Sequence, residues 1–420
     1  MFVGYNGGVR NLPRSPLAPA AFPELPKVSG VRLSVAALGL KYEGRPDVLL
    51  ADFVRGTQVA GVFTRSTTSS APVLLCRKNL SGKLARGCFV NAGNANAFTG
   101  KRGERAALHI SEVVAEALGA SPSEVFVAST GVVGEPLDSG PIATAMDGLA
   151  SNLGRASFHD AARAICTTDT YPKGSALETK IGDETVRICG IAKGSGMVAP
   201  NMATVLGFVF TDASLEASLL QSLLNEYVET TFNSITVDGD TSTSDTLLLF
   251  ATQAVRHRQI SDPGDEALGD FRRALAGVLE DLALQVVRDG EGATKLVRIA
   301  VSEAESNESA KRIALAIANS PLVKTAIAGE DPNWGRVVMA VGKAGEPANR
   351  EAMSIWFGPH LVADRGERAE SYVEDEVAKY MKGDCLEVSV RVGMDGQGSA
   401  RVWTCDLTHR YISINASYRT

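Results

Sequence analysis

The chain has 420 residues, of which 45% are hydrophobic and 21% charged, and a formal net charge of −6. That length is enough for two or three domains and a large core. The acidic balance argues against a nucleic-acid partner, whose phosphates call for a basic surface. No apolar run approaches the roughly 18–20 residues needed to span a membrane.

Residues 1–27 are rich in proline (Pro13, Pro16, Pro19, Pro23 and Pro26) and lack the apolar stretch of a secretory signal. Arg10 and Arg14 precede the first acid, Glu24, a faint transit-peptide feature, but the prolines oppose an amphipathic helix. An arm that packs on the body is expected. Residues 31–36 and 58–64 read as strands, and serines and threonines at 66–70 supply a turn. A strand over 88–91 runs into Asn91-Ala92-Gly93-Asn94-Ala95-Asn96. Apolar residues at 107, 110, 114, 117 and 118 predict a helix over 105–118, stopped by Gly119. A strand over 125–128 precedes Ser129-Thr130-Gly131, and 157–166 reads as helix. Thr167-Thr168-Asp169-Thr170 follows, offering hydroxyls and a carboxylate either to a small polar ligand or to its own backbone in a turn.

The run Lys193-Gly-Ser-Gly-Met-Val-Ala-Pro-Asn-Met-Ala-Thr204 is the most informative stretch. A Gly-rich loop leads to the Ala203-Thr204 bond, and a strand-like run over 205–210 follows. Gly194 and Gly196 allow backbone angles that other residues resist, and Pro200 pushes Ala199 toward extended geometry. An internal threonine is a poor nucleophile. Breakage of the bond before it would give it an α-amine of pKa about 7.7–8.0 as a built-in base. Taken alone, the spacing favours a turn before a core strand, with Thr204 an ordinary β-branched residue. Gly194-Ser195-Gly196 with Ala199 also fits a loose dinucleotide-binding pattern. That pattern must open a helix, whereas Pro200 and the run after it point to strand.

Beyond the run, apolar positions 219, 220, 223, 224, 227 and 228 predict a helix over 215–228. Thr236-Val237-Asp238-Gly239-Asp240-Thr241-Ser242-Thr243 is acidic and hydroxyl-rich but lacks the ligand spacing of a calcium loop. Asp262-Pro263 is expected to open a long helix that stops at Gly290. Asp289-Gly290-Glu291-Gly292 then reads as a C-cap turn or as a carboxylate presented to a substrate ammonium. Strands are expected over 294–301 and 386–392, and a helix over 310–317. Six cysteines (76, 88, 166, 189, 385, 405) are scattered without a Cys-x-x-Cys pair, and five histidines form no close pair, so no metal site is expected. Scattered thiols in an acidic chain suit the cytoplasm. The elements interleave as a mixed α/β fold with helices covering packed sheets.

Seven segments in order resemble the ornithine acetyltransferase family of arginine biosynthesis, the self-processing glutamate N-acetyltransferases. They are the motifs starting at Asn91, Ser129, Thr167 and Lys193, the segment 235–244, Glu330-Asp331-Pro332-Asn333-Trp334-Gly335-Arg336, and the terminal Ile414-Asn415-Ala416-Ser417-Tyr418-Arg419-Thr420. The resemblance covers nearly the whole chain and reverses the bland reading of Thr204. It implies an N-terminal-nucleophile-like sandwich with a C-terminal α/β lobe. It implies cleavage between Ala203 and Thr204, giving fragments 1–203 and 204–420 that stay together as two copies of each. Thr204 is then the nucleophile, Thr130 and Gly131 the oxyanion hole, and Thr167, Lys193, Thr204, Glu291, Asn415 and Thr420 the substrate contacts. The implied reaction is ping-pong transfer of acetyl from N2-acetylornithine to glutamate, with no cofactor. Some members also accept acetyl-CoA as donor, and the residues do not separate the two kinds. A self-processing N-terminal-threonine aminopeptidase or amidase would share the same chemistry. Small departures from the family pattern, at Val205, Gly207 and Ser417, fall on no proposed chemical group.

Overall fold

The computed structural model describes residues 12–199 and 205–416. Two β-sheets stack face to face, and each carries helices on its outer side. The first sheet has four strands, in the order Val31–Ala36, Val48–Phe53, Gly87–Asn94, Val125–Val132. Its last two strands run parallel. The second has five, in the order Gln58–Phe63, Thr246–Val255, Leu206–Ala213, Glu184–Lys193, Lys173–Ile181.

Alternation along the strands explains the stacking. On Thr246–Val255, Leu248 and Phe250 enter the space between the sheets, while Leu247, Leu249 and Ala251 enter the core beneath the helices. Buried on both faces, its stretch 247–251 reads as an unbroken apolar run. Phe53 of the first sheet stacks on Phe250 of the second at 4.4 Å between ring centroids. Phe126, Phe158 and Phe210 complete the aromatic contact. The helices Ala217–Thr230 and Gly269–Arg288 cover the five-stranded sheet. Gly100–Leu118 and Gly140–Ser151 cover the four-stranded one.

A third sheet, of six strands, forms a C-terminal α/β lobe with its own core. Its strand Leu296–Ala304 lies between Cys385–Arg391 and the edge strand Gly398–Cys405. The helices Asn307–Ala318 and Trp334–Gly342 pack on it. The described part of the N-terminal arm, from residue 12, is packed: Phe22 and Leu25 join the inter-sheet core and Leu17 joins the core under the helices.

Some expected boundaries shift. The helix expected at Asp262-Pro263 begins at Gly269. The Asp262 carboxylate instead accepts the Gly264 amide, and Asp265 caps a short 3-10 turn over Glu266–Leu268. The strand expected to end at residue 128 runs on to Val132, carrying Ser129, Thr130 and Gly131 into the sheet.

Candidate active site

Thr130 and Gly131 lie in the last stretch of Val125–Val132, paired with Ala92 and Gly93 of the parallel neighbour. Gly131 has φ +128°, and a Cβ there would collide with the Gly93 backbone. Only glycine fits so close an approach. The Thr130 side chain is 4% exposed. Lys193, the last residue of Glu184–Lys193, is also buried, and its Nζ donates to Thr130 Oγ1 at 3.2 Å. This contact crosses from one stacked sheet to the other.

The loop after Lys193 is held from three sides. The Gly194 amide donates to Asp169 Oδ1 at 2.7 Å, and the Thr167 amide donates to Asp169 Oδ2 at 2.9 Å. Asp169 thus ties the hydroxyl-rich turn to the loop. The Thr168 and Ser195 hydroxyls share a 2.7 Å hydrogen bond. The Glu291 amide donates to the Ser195 carbonyl at 2.8 Å, and a Cβ at Gly196 would strike the Glu291 carboxylate. Asp238 accepts the Met197 and Val198 amides at 2.7 and 2.8 Å.

Beneath this loop lies a buried ion cluster. Lys173 Nζ reaches Asp169 at 2.7 Å and Asp289 at 2.6 Å, with all three side chains at 0% exposure. Burial alone would raise the Asp169 carboxyl, but the Lys173 and Lys193 cations outweigh it and hold it far below the usual carboxylate range. Burial opposes the charge on Lys173 as well, and its two carboxylates more than restore it. Asp289 stays raised by burial while accepting the Thr170 amide and hydroxyl.

Glu291 meets the C-terminal helix His409–Asn415, where Asn415 Nδ2 donates to Glu291 Oε2 at 2.7 Å. Burial pushes the Glu291 carboxyl up, against the hydrogen bonds from Asn415 and Thr168. A cavity of about 180 Å³ opens here, lined by Glu291, Thr168, Thr170, Ser15 and Arg410 among others. A larger cavity, about 430 Å³, shares no lining residue with this cluster.

Of the residues singled out from the sequence, the structure joins Thr130 to Lys193 and Glu291 to Asn415 directly, and ties Thr167 to the Lys193 loop through Asp169. Ala203, Thr204 and Thr420 lie outside the described residues. Ser195, Asp238 and Asp245 were not singled out as site residues. The two aspartates hold backbone amides and the Ser195 hydroxyl meets that of Thr168, pairings that spacing does not show. Among the described residues, no group of three or more His, Cys, Asp or Glu could hold a metal ion, and no helix is long and apolar enough to cross a membrane.

The ArgJ family pattern matches residues 32–420. The chain belongs to the ArgJ family. Among its ArgJ relatives, the arginine biosynthesis bifunctional protein ArgJ of Brucella suis biovar 1 (strain 1330) is 54% identical over 409 residues, covering 97% of this chain and 99% of that protein. The protein of the same name from Mesorhizobium japonicum is 55% identical with the same coverage. A crystal structure of ArgJ from Bacillus halodurans aligns at 40% identity and a TM-score of 0.48, over 50% of this chain and 98% of its own. An ornithine acetyltransferase from Mycobacterium tuberculosis, solved with ornithine, aligns at 31% identity and a TM-score of 0.38, over 47% and 97%.

Proposed function

We propose that this chain is an acyltransferase of arginine biosynthesis that moves acetyl from N2-acetylornithine to glutamate through an acetyl ester on Thr204. Family membership at 54–55% identity over 97% of the chain supports the activity. The observation that carries the mechanism is the meeting of Thr130, Lys193 and the anchored loop 194–199, which leads directly to the segment holding Thr204.

Cleavage before Thr204 frees its α-amine. Thr204 Oγ attacks the acetyl carbonyl of acetylornithine and the amine takes the hydroxyl proton. Lys193 donates to Thr130 Oγ1, so the Thr130 hydroxyl keeps its own hydrogen for the developing oxyanion. The Gly131 amide is the second donor, and one such donor is worth about 3–4 kcal/mol. The tetrahedral adduct collapses by breaking the carbon–nitrogen bond, and the amine's proton passes to the leaving ornithine nitrogen. Glutamate then attacks the ester with its own amino group, the same steps run in reverse, and acetylglutamate leaves. Glu291 receives a substrate ammonium, and Lys193 stands as the cation for a carboxylate. Acetyl-CoA is a second candidate donor, and no cofactor takes part.

Cleavage divides the chain into fragments of 203 and 217 residues. The five-stranded sheet draws strands from both, with Glu184–Lys193 paired to Leu206–Ala213 and Gln58–Phe63 to Thr246–Val255. The fragments therefore stay together, and two copies of each form the working assembly. Incubation with acetylornithine, with and without glutamate, tests the reaction. A transferase yields acetylglutamate and ornithine in equal amounts only when glutamate is present; release of acetate without glutamate at a similar rate would make it a hydrolase.

A further inference from the structure

Three neighbouring strands come level at one end of the five-stranded sheet. Lys193 ends the first, Leu206 opposite it begins the second, and Thr246 opposite Leu206 begins the third. Asp245, immediately before Thr246, is fully buried at 0% exposure. Its Oδ1 accepts the Val205 amide at 3.1 Å, and the Thr246 amide donates to the Val205 carbonyl at 3.1 Å. Val205 is therefore held through both its backbone polar groups.

Several contacts fix Asp245 in turn. Its carbonyl accepts the Thr64 amide at 3.1 Å, the Thr64 hydroxyl donates to the Ser242 carbonyl at 2.6 Å, and the Thr243 carbonyl accepts the Ser70 amide at 2.8 Å. The second carboxylate oxygen, Oδ2, is buried with no hydrogen bond among the described residues. Burial pushes this carboxyl well up; the Val205 amide, the nearby Thr64 and Ser242 hydroxyls and the Lys193 cation work against that. Burying a carboxyl costs desolvation, so an aspartate here needs a reason beyond packing.

The same segment also holds the chain on the other side of the cleavage bond. Asp238 takes the Met197 and Val198 amides, and the Val237 amide donates to the Val198 carbonyl at 2.8 Å. Residues 237–245 thus grip the chain at 197–198 and again at 205. The scissile bond lies within the span between those grips.

We propose that Asp245 is a positioning residue for Thr204, clamping the amide that follows the nucleophile. The inference rests on Thr204 being the nucleophile. A peptide unit is planar, so an amide fixed at Val205 fixes the plane that carries the Thr204 carbonyl and Cα. The Thr204 hydroxyl and its α-amine then hang from a held plane rather than from a free strand end. The two grips differ in consequence: after cleavage the 197–198 grip retains the new C-terminus, and the Asp245 grip retains the nucleophile.

Asp245→Ala removes the acceptor, and Asp245→Asn keeps an oxygen acceptor of the same reach without the charge. Self-cleavage is read by intact mass, folding by circular dichroism, and turnover by steady-state kinetics with acetylornithine. Asp245→Ala is expected either to remain uncut while folded, or to be cut and lose on the order of 100-fold in kcat with KM within about threefold, the scale of loss for a misplaced reacting group. Asp245→Asn should restore cutting and most of kcat. The proposal is overturned if the alanine variant is cut and turns over like the unaltered protein, or if asparagine does no better than alanine in cutting, folding and kcat. Thr204→Ala run alongside separates the two readings. If that variant is itself cut and active, the nucleophile assignment fails whatever Asp245 does.

Discussion

At the level of single residues, the site works by surrounding polar groups with others that fix their state. Lys193 orients the Thr130 hydroxyl from 3.2 Å. Thr130→Val keeps the shape and removes one donor, so kcat should fall on the order of 10²–10³-fold with little change in the binding of acetylornithine. An unchanged kcat would remove Thr130 from the oxyanion hole. Glu291 gives a second test. Its folded carboxyl is raised by burial. Stability from that group is full below the unfolded value near 4.3 and is lost as pH rises through the folded value. Glu291→Gln should therefore gain in melting temperature over the unaltered protein as pH rises from 4 to neutrality, while its KM for acetylornithine rises. A melting difference that stays flat with pH would contradict the burial argument. The residue types at Thr130, Lys193, Glu291 and Asn415 were legible in the sequence through the family resemblance. Asp169 and Asp238 were legible only as members of polar runs and Asp245 not at all, because their work is to accept backbone amides from segments distant in sequence.

At the level of elements, periodicity carried the long amphipathic pieces and failed where tertiary contacts override local signal. The helix expected from residue 105 begins at Gly100, because Gly103 in its first turn packs against Asn96 and Thr99 and carries no apolar mark. Lys173–Ile181 and Glu184–Lys193 were not expected as strands. Each places a lysine at 0% or 3% exposure, where charge normally argues for solvent. For Lys173 the reason is the pair of carboxylates it joins. Lys173→Met would take from Asp169 and Asp289 the cation they share, and breaking such a buried pair costs about 3–5 kcal/mol. The urea midpoint should fall accordingly at neutral pH. Because Asp169 is held below its ordinary value, the stability it contributes is present above about pH 4 and is lost as pH falls further. The deficit of Lys173→Met should shrink over that range. A deficit independent of pH would mean that packing, not charge, sets the loss.

At the level of the whole molecule, the two stacked sheets and the C-terminal lobe meet around the loop that follows Lys193. The lobe reaches it through the Ile235–Trp403 bridge, and the helix His409–Asn415 reaches it through Glu291. The mixed α/β class was legible from interleaved patterns. The stacking order was not, since it depends on which face of each strand is covered. A tag fused after Thr420 should lower activity more than one before Met1, because Asn415 and Glu291 already touch; equal activities would place the tail outside the site. The central claim is that one cleavage makes the catalyst. Intact-mass measurement of the purified protein tests it most directly, before and after acetylornithine is added without glutamate. The account predicts two fragments of 203 and 217 residues, the larger becoming heavier by one acetyl group, and a single uncut, unmodified chain for Thr204→Ala. A full-length, active protein in which the bond before Thr204 is intact would contradict it.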